Sequence, residues 1–204
     1  MSKAESKNVY KTYNKIADWY AKNRTTKLLE KDYLDQLIEL IPDNGNVLDI
    51  GCGTGKPILE YLQSKKLRVT GLDASTKMLD IAKANFLETD FILQDMRMLN
   101  LEMKFDAIVA WNSFFHLPAD DQPPIFSLFE KHLHPKGVLL FTTGTERGEA
   151  WGINGGENIF HASLNLDDYR NLLNKHHFKI IENKVNDPDC GGLTVWLTQH
   201  FFNA

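Results

Sequence analysis

Residues 47–55, Val47-Leu48-Asp49-Ile50-Gly51-Cys52-Gly53-Thr54-Gly55, decide the fold of this chain. A short, mostly apolar run, typical of a buried strand, leads directly into glycines at every second position, and a helix is predicted from about residue 57 to residue 64. Glycine lets the backbone approach a ligand closely and adopt a positive φ. The backbone N–H groups at the start of the following helix also point toward the place where such a ligand would lie. The segment therefore predicts a ligand-binding loop between a strand and a helix.

The alternation of strand and helix continues through most of the chain. Regular alternation of this kind is typical of an α/β fold with a parallel sheet. The last two predicted strands, 179–185 and 193–202, are joined by a hairpin-like turn at 187–192, which indicates a closing antiparallel pair. The other predicted strands are 46–50, 68–72, 91–93, 105–110 and 138–143, and further helices are predicted over 76–84, from 120–124 to about 134, and from 165.

The beginning of the chain has a different pattern, because three tyrosines and one alanine recur there at intervals of three and four positions. This spacing places them on one face of a helix. A second apolar stripe follows and ends at Pro42. We therefore expect an N-terminal helical cap over residues 1–42 and a main domain over residues 43–204, packed as one compact unit. The aromatic face comprises Tyr10, Tyr13, Ala17 and Tyr20.

Charge and composition restrict the classes of function. The formal net charge of −4 argues against the basic surface that nucleic-acid binding needs. No apolar run approaches the roughly 20 residues of a membrane span, and the polar start of the chain does not resemble a signal peptide. The two cysteines, Cys52 and Cys190, indicate free thiols in a reducing compartment. We therefore expect a cytoplasmic protein that partners neither nucleic acid nor membrane.

One alternative for the glycine loop is a dinucleotide site. Such sites place the third glycine one position later, in the order G-x-G-x-x-G. In this chain that position is Lys56, and the third glycine is Gly55. The difference argues against a pyrophosphate cradle, and an NAD-dependent oxidoreductase remains as the alternative enzyme class.

The order Asp49-x-Gly51-x-Gly53-x-Gly55 resembles motif I of the class I S-adenosylmethionine-dependent methyltransferases. Residues 105–117 and 135–140 resemble the motifs at the family's fourth and fifth strands. The likeness in layout covers roughly residues 10–202. It implies a Rossmann-like, doubly wound sheet of seven strands, mostly parallel with an antiparallel last strand. It also implies S-adenosylmethionine as cofactor and S-adenosylhomocysteine as product.

The resemblance assigns roles to acidic residues that end successive strands. Asp73 follows the second strand, where a carboxylate accepts hydrogen bonds from the ribose hydroxyls of an adenosine; it is also positioned to cap the next helix. Asp95 follows the third strand, where the family binds the adenine amino group, and Met96 packs on the ring. The complete predicted cofactor-binding set is Tyr20, Arg24, Asp49, Gly51, Cys52, Gly53, Gly55, Asp73, Ala74, Met78, Asp95, Met96 and Trp111.

The N-terminal helix has two interpretations. Its aromatic face either packs only against the domain or forms a lid over donor and acceptor, as in many relatives. In the second case Tyr20 contacts the cofactor, and Arg24 pairs with the methionine carboxylate. A protein that binds S-adenosylmethionine without catalysis is a further alternative that the intact motif I leaves open.

The fourth-strand end indicates the class of acceptor. Family members that methylate adenine N6 or glutamine amides carry Asn/Asp-Pro-Pro-Tyr/Phe there, whereas this chain has Trp111-Asn112-Ser113-Phe114. A small-molecule acceptor, methylated by in-line displacement, is therefore predicted. His116, and His161 in a polar stretch expected to overhang the site, are the candidate general bases. No metal is predicted, because the seven histidines are not spaced as a metal cluster.

Overall fold

A computed structural model describes residues 3–25 and 27–201. Its strands are β1 (Asn46–Ile50), β2 (Arg68–Asp73), β3 (Phe91–Leu93), β4 (Phe105–Ala110), β5 (Leu133–Thr143), β6 (Gly148–Asn154), β7 (Glu157–Ser163), β8 (Phe178–Asp187) and β9 (Leu193–His200). Its α-helices are α1 (Lys3–Lys7), α2 (Val9–Asn23), α3 (Lys31–Leu40), α4 (Ile58–Ser64), α5 (Thr76–Asn85), α6 (Pro123–His132) and α7 (Leu166–Lys175).

Seven strands form one sheet in the order β3-β2-β1-β4-β5-β9-β8. The first five are parallel neighbours, and β9 pairs antiparallel with both β5 and β8. This confirms the predicted seven-stranded, mostly parallel sheet with an antiparallel last strand. The end predicted for that strand, Phe202, lies outside the described residues.

Both faces of the sheet are covered, as in a doubly wound fold. Successive strand residues point to opposite faces, so Leu48 and Ile50 of β1 join one apolar cluster with α6 and α7, while Val47 joins another with α3 and α4. Near-continuous apolar strands are the signature of a sheet buried on both sides. In the described ranges, no helix is long and apolar enough to cross a membrane.

The fifth strand begins earlier than predicted. Helix α6, expected to reach residue 134, ends at His132, and Leu133 already pairs with Phe105 of β4. The register then shifts, so that the predicted start, Val138, pairs with Ala107. The buried Leu133 side chain favours pairing with the sheet over another helical turn.

The stretch expected to overhang the site as a polar loop is a β-hairpin formed by β6 and β7. Gly155 and Gly156 form its turn at φ +57° and +80°, which is the backbone that a two-residue hairpin requires. Helix α2 packs on this hairpin through Ile16, against Ile159. The hairpin and α2 together stand over the carboxyl ends of the parallel strands.

Helix α3 packs into a core cluster of the main domain through Leu34 and Leu37. Helix α2 therefore packs on the hairpin, whereas α3 is part of a core cluster of the main domain. The division of the chain into a cap and a main domain at residue 42 stays a prediction. The outer ends of the two predicted domains, residues 1–2 and 202–204, lie outside the described residues.

Candidate active site

The glycine loop is held against the neighbouring strands. The amides of Gly51 and Cys52 donate to the Leu72 carbonyl oxygen at 2.7 and 3.1 Å. A Cβ on Gly51, at φ +74°, would lie 2.2 Å from Cβ of Ser113. A Cβ on Gly53 would meet only the Tyr20 ring, at 4.0 Å. Gly51 is therefore needed for close packing, while Gly53 leaves space open to a ligand.

That space is a cavity of about 960 Å³ at the carboxyl ends of the strands. Twelve of the thirteen predicted cofactor residues line it, namely Tyr20, Arg24, Asp49, Gly51, Cys52, Gly53, Asp73, Ala74, Met78, Asp95, Met96 and Trp111. Gly55 is not in the lining. Its Cβ would lie 2.6 Å from the ring of Phe86, so its lack of a side chain serves packing instead.

Asp73 is fixed by two backbone donors. Its Oδ2 accepts from the amide of Gly53 at 2.9 Å, and its Oδ1 accepts from the amide of Ser75 at 2.8 Å. Burial raises the pKa of Asp73, and these amide hydrogen bonds partly offset the rise. The N-cap of α5 is Ser75, whose hydroxyl accepts from the amide of Met78, and not Asp73. The Asp73 carboxylate therefore holds the glycine loop in place and borders the cavity.

A buried carboxyl and a guanidinium line the same cavity. Asp49 is 3% exposed, and burial raises its pKa to about 7, although Arg24 lowers it. The Arg24 side chain donates to the hydroxyl of Tyr20 at 2.8 Å and to the Lys56 carbonyl oxygen at 3.0 Å. Its Nη2 lies 3.9 Å from Oε1 of Glu30, a buried oxygen with no hydrogen-bond partner among the described residues. Both signs of charge are thus available in one part of the cavity.

Asp95 lines the cavity, and its carboxylate is already paired with the guanidinium of Arg97. Burial would raise its pKa, yet hydrogen bonds from the side chain and amide of Arg97 hold the pKa below its ordinary value. The same guanidinium donates to Asp121 at 3.0 Å and to the Lys7 carbonyl oxygen at 2.7 Å. Arg97 therefore joins the loop after β3 to the start of the N-terminal helices.

His116 lies in a chain of hydrogen bonds. Its Nδ1 is 2.8 Å from the carbonyl oxygen of Phe160, which only accepts, so Nδ1 carries the proton. Its Nε2 therefore carries the lone pair and accepts from the hydroxyl of Tyr13 at 2.9 Å. Burial lowers the pKa of His116 to about 4, with the backbone bond to Phe160 opposing. Burial also raises the pKa of Tyr13, so both groups are neutral near pH 7.

A second cavity, of about 600 Å³, adjoins the first under the hairpin. His161 lines this second cavity only, and its ring centre lies 4.9 Å from that of His116. Burial lowers the pKa of His161. The structure therefore brings the two predicted bases together. The residues common to both cavities are Tyr13, Tyr20, Arg24, Asn112 and His116.

Sequence reasoning missed several residues of this site. Tyr13 was on the predicted helical face but was not assigned to the site, and nothing local connects it to His116. Arg97 and Gln94 flank the predicted Asp95, and Oε1 of Gln94 is a buried acceptor without a partner among the described residues. Asn112, at φ +51°, is the second residue after the end of β4, and this position was the signal that it faces the site.

Comparisons with known proteins agree with this architecture. Residues 47–137 match the family described as "Methyltransferase domain". The malonyl-(acyl-carrier protein) O-methyltransferase of Calditerrivibrio nitroreducens is 31% identical over 181 residues, which cover 83% of this chain and 66% of that protein. The chain spans 36%, 66% and 43% of the length of three curated relatives that it matches.

Two solved structures share the fold. An S-adenosylmethionine-dependent methyltransferase from Clostridium acetobutylicum superposes with a TM-score of 0.73 at 19% identity, covering 94% of this chain and 100% of that one. The Burkholderia thailandensis 1,6-didemethyltoxoflavin-N1-methyltransferase, with 1,6-didemethyltoxoflavin and S-adenosylhomocysteine bound, has a TM-score of 0.69 at 17% identity, covering 94% and 85%. The strand order, the glycine loop and these matches place the chain in the class I S-adenosylmethionine-dependent methyltransferases.

Proposed function

We propose that this chain transfers a methyl group from S-adenosylmethionine to a small-molecule acceptor. The observation that carries the proposal is the junction of the two cavities. The first lies on the glycine loop, the second lies under the hairpin, and they share a wall that includes Tyr13 and His116. Donor and acceptor placed in these cavities would meet at that wall.

The first cavity fits the parts of S-adenosylmethionine. Arg24 and Asp49 offer opposite charges to the carboxylate and ammonium of the methionine end. Asp73, whose oxygens retain lone pairs beyond the two amide bonds, faces the ribose hydroxyls. Asp95, Met96 and the unpartnered Gln94 oxygen line the adenine end. Space above Gly53 lets the ligand approach the backbone.

Bound S-adenosylmethionine would supply a methyl group on a positively charged sulfur. An acceptor atom would take the methyl group by in-line displacement, with the sulfur as the leaving atom. The chain has to orient the acceptor and exclude water. Helix α2 and the hairpin perform both tasks, because they cover the second cavity from two sides. Phe115 and His161, whose ring centres lie 5.3 Å apart, give that cavity flat walls suited to a planar acceptor.

Tyr13 and His116 act together as the base. As the acceptor's O–H or N–H bond breaks, its proton passes to the Tyr13 oxygen. The Tyr13 proton passes at the same time to Nε2 of His116 along the 2.9 Å hydrogen bond. A weak base suffices, because the acceptor proton becomes strongly acidic as its atom bonds to the methyl carbon. His161, beside His116, contacts the acceptor.

Two features support a small acceptor. The second cavity is small, at about 600 Å³, and is bordered by the hairpin, and the chain's net charge of −4 disfavours a nucleic-acid substrate. The names of two similar proteins, an O-methyltransferase and an N1-methyltransferase, give oxygen and nitrogen as the atoms that those proteins methylate. The cytoplasmic location predicted from the two thiols is part of this proposal. Fractionation of the source cells tests it, and recovery outside the cytoplasmic fraction contradicts it.

Calorimetric titration with S-adenosylmethionine, S-adenosylhomocysteine and NAD tests the cofactor. We expect micromolar binding of the two sulfur compounds and none of NAD. The Asp73→Ala variant should weaken the binding of both sulfur compounds by about 1.5–3 kcal/mol, since it removes a charged hydrogen-bond acceptor. Binding of NAD in their place would support the oxidoreductase. Binding without turnover across a broad screen of acceptors would support a non-catalytic module.

Binding should also depend on pH through Asp49. Its pKa near 7 leaves the free carboxyl partly protonated at neutral pH, whereas an ammonium partner requires the carboxylate. Binding therefore releases a proton, and Kd should rise by up to about tenfold for each pH unit below about 7. The ligand's own amino group stays protonated there, because an α-amino pKa is about 7.7–8.0.

The measurement is a series of titrations from about pH 5.5 to about pH 7, in buffers with different ionisation enthalpies to count released protons. The Asp49→Asn variant is the control, because it cannot titrate. A Kd that is equally insensitive to pH in the wild type and in this variant would remove Asp49 from contact with the ammonium group.

A further inference from the structure

Three imidazoles surround one carboxylate at the opposite edge of the sheet from the proposed active site. Glu130 lies on α6, His176 and His177 follow α7, and His200 ends β9. Because β9 runs antiparallel to β5, its carboxyl end lies where the parallel strands begin. We call these four residues the Glu130 cluster. It shares no residue with either cavity.

The potential ligand atoms of the cluster are close together. One oxygen of Glu130, one ring nitrogen of His177 and one of His200 lie within 4.8 Å of one another. Oε1 of Glu130 is 2.8 Å from Nδ1 of His177 and 3.9 Å from Nε2 of His200. Small side-chain rotations would place all three about 2.0–2.2 Å from a single ion.

The backbone holds these groups in place. The amide of Phe201 donates to the His177 carbonyl oxygen at 2.8 Å, which fixes the residue after α7 beside the end of β9. His177 has a φ of +59°, so its side chain leaves the turn in a direction that the ordinary helical backbone does not allow. Nδ1 of His200 contacts the His134 carbonyl oxygen at 3.4 Å, which places the ring's lone pair on Nε2, toward Glu130.

The charge balance of the cluster also favours a cation. Glu130 is three-quarters buried, with 25% of its side chain exposed, and its ion-pair partners are histidines. In the part of the chain that the structure describes, no lysine or arginine lies within ion-pair distance of it. Nδ1 of His176 and Nδ1 of His177 each lie 2.8 Å from one of its two oxygens. A carboxylate thus sits among ligands that suit a metal.

We propose that Glu130, His177 and His200 form a Zn²⁺ site. Two imidazole nitrogens and one carboxylate oxygen are preferred zinc donors, and the half-exposed side of His177 admits the ion and a water as fourth ligand. His176 donates to the other carboxylate oxygen at 2.8 Å and orients it, as outer partners of metal ligands do. Zn²⁺ would bind the lone pair of Nδ1 of His177 in place of the hydrogen bond to Glu130, and the neutral ring would carry its single proton on Nε2.

The test uses the full chain without a histidine tag, stripped with EDTA. Equilibrium dialysis against Zn²⁺ alone should give one bound zinc per chain, and Co²⁺ alone should give visible absorption typical of low-symmetry coordination. His177→Asn should weaken binding by more than about tenfold; asparagine tolerates positive φ, so the fold is kept. Glu130→Gln should weaken binding by at least as much.

His134→Ala is the matched control, because it removes an exposed imidazole beside the cluster and leaves the carbonyl that faces His200. Its zinc affinity should equal that of the wild type. The proposal is overturned if the wild type binds no zinc at micromolar concentration, or if His177→Asn binds it as tightly as the wild type does. Circular dichroism of each variant shows whether the fold is intact.

Discussion

Replacing His116 by glutamine should lower kcat by about 10²- to 10⁴-fold while the affinity for S-adenosylmethionine stays within about twofold. Glutamine still accepts from Tyr13 and donates to the Phe160 carbonyl oxygen, but its amide cannot take a proton. The substitution therefore preserves the hydrogen bonds and removes only the base. The assay follows release of S-adenosylhomocysteine with an acceptor found by screening phenols, amines and heteroaromatic N–H compounds.

Two companion measurements separate a catalytic role from a structural one. Tyr13→Phe keeps the ring but removes the hydroxyl, and it should lower kcat as strongly as His116→Gln if Tyr13 relays the proton. In the wild type the neutral imidazole is the active form, so kcat, measured with S-adenosylmethionine saturating at each pH, should fall as the pH drops toward the pKa of about 4 and stay flat above about 5.5. Equal kcat in wild type and His116→Gln would exclude His116 as the base.

Gly51→Ala should lower the free energy of unfolding by about 2–5 kcal/mol, most of the stability of a marginal domain. Alanine at φ +74° costs about 1–2 kcal/mol. Its Cβ would also lie 2.2 Å from Cβ of Ser113, and relieving such overpacking costs about 1–3 kcal/mol. Ser113 has little room to retreat, because it is buried and donates to the Ile50 carbonyl oxygen at 2.7 Å.

Gly53→Ala is the matched substitution two residues away. It also has a positive φ, of +54°, but its Cβ would meet no atom closer than 4.0 Å. Urea unfolding should therefore show a loss of only about 1–2 kcal/mol, while calorimetry shows weaker cofactor binding, because the methyl group enters the cavity. Equal losses of stability in the two variants would mean that backbone conformation alone, and not the contact with Ser113, makes Gly51 necessary.

Much of the fold was available from the sequence because its signals are local. The strand over 105–110 has the predicted bounds, since an apolar run between turn residues marks a strand buried on both faces. The edge strand over 91–93 also has the predicted bounds, although its residues are only partly buried or exposed. The Asn165 cap of α7 was predicted correctly as well, because a cap and its partner, here the amide of Asp168 at 2.7 Å, lie three residues apart. The hairpin was missed although Gly155-Gly156 is its turn signal.

Some residues of the candidate site could likewise be predicted from the sequence, and others could not. The glycine loop, Asp73 and Asp95 follow strands of a parallel sheet, whose carboxyl ends meet at one edge, so order along the chain was enough to bring them to one cavity. Gly55 follows the same pattern yet lies outside the cavity, and a Cβ there would meet the ring of Phe86. The pairing of Asp95 with Arg97, and of Arg97 with Lys7, depends on side-chain directions that no spacing reveals.

The sequence by itself determined the sheet, the glycine loop that borders the first cavity, and the family, because strand alternation, glycine spacing and caps act within a few residues. The tertiary structure alone decided which side chains meet across the chain. Tyr13 and His116 are 103 residues apart, and Glu130 reaches His177 over 47. Such contacts form only when helices and strands pack together. The free energy of that packing comes from residues throughout both core clusters, and no single segment of the sequence supplies it.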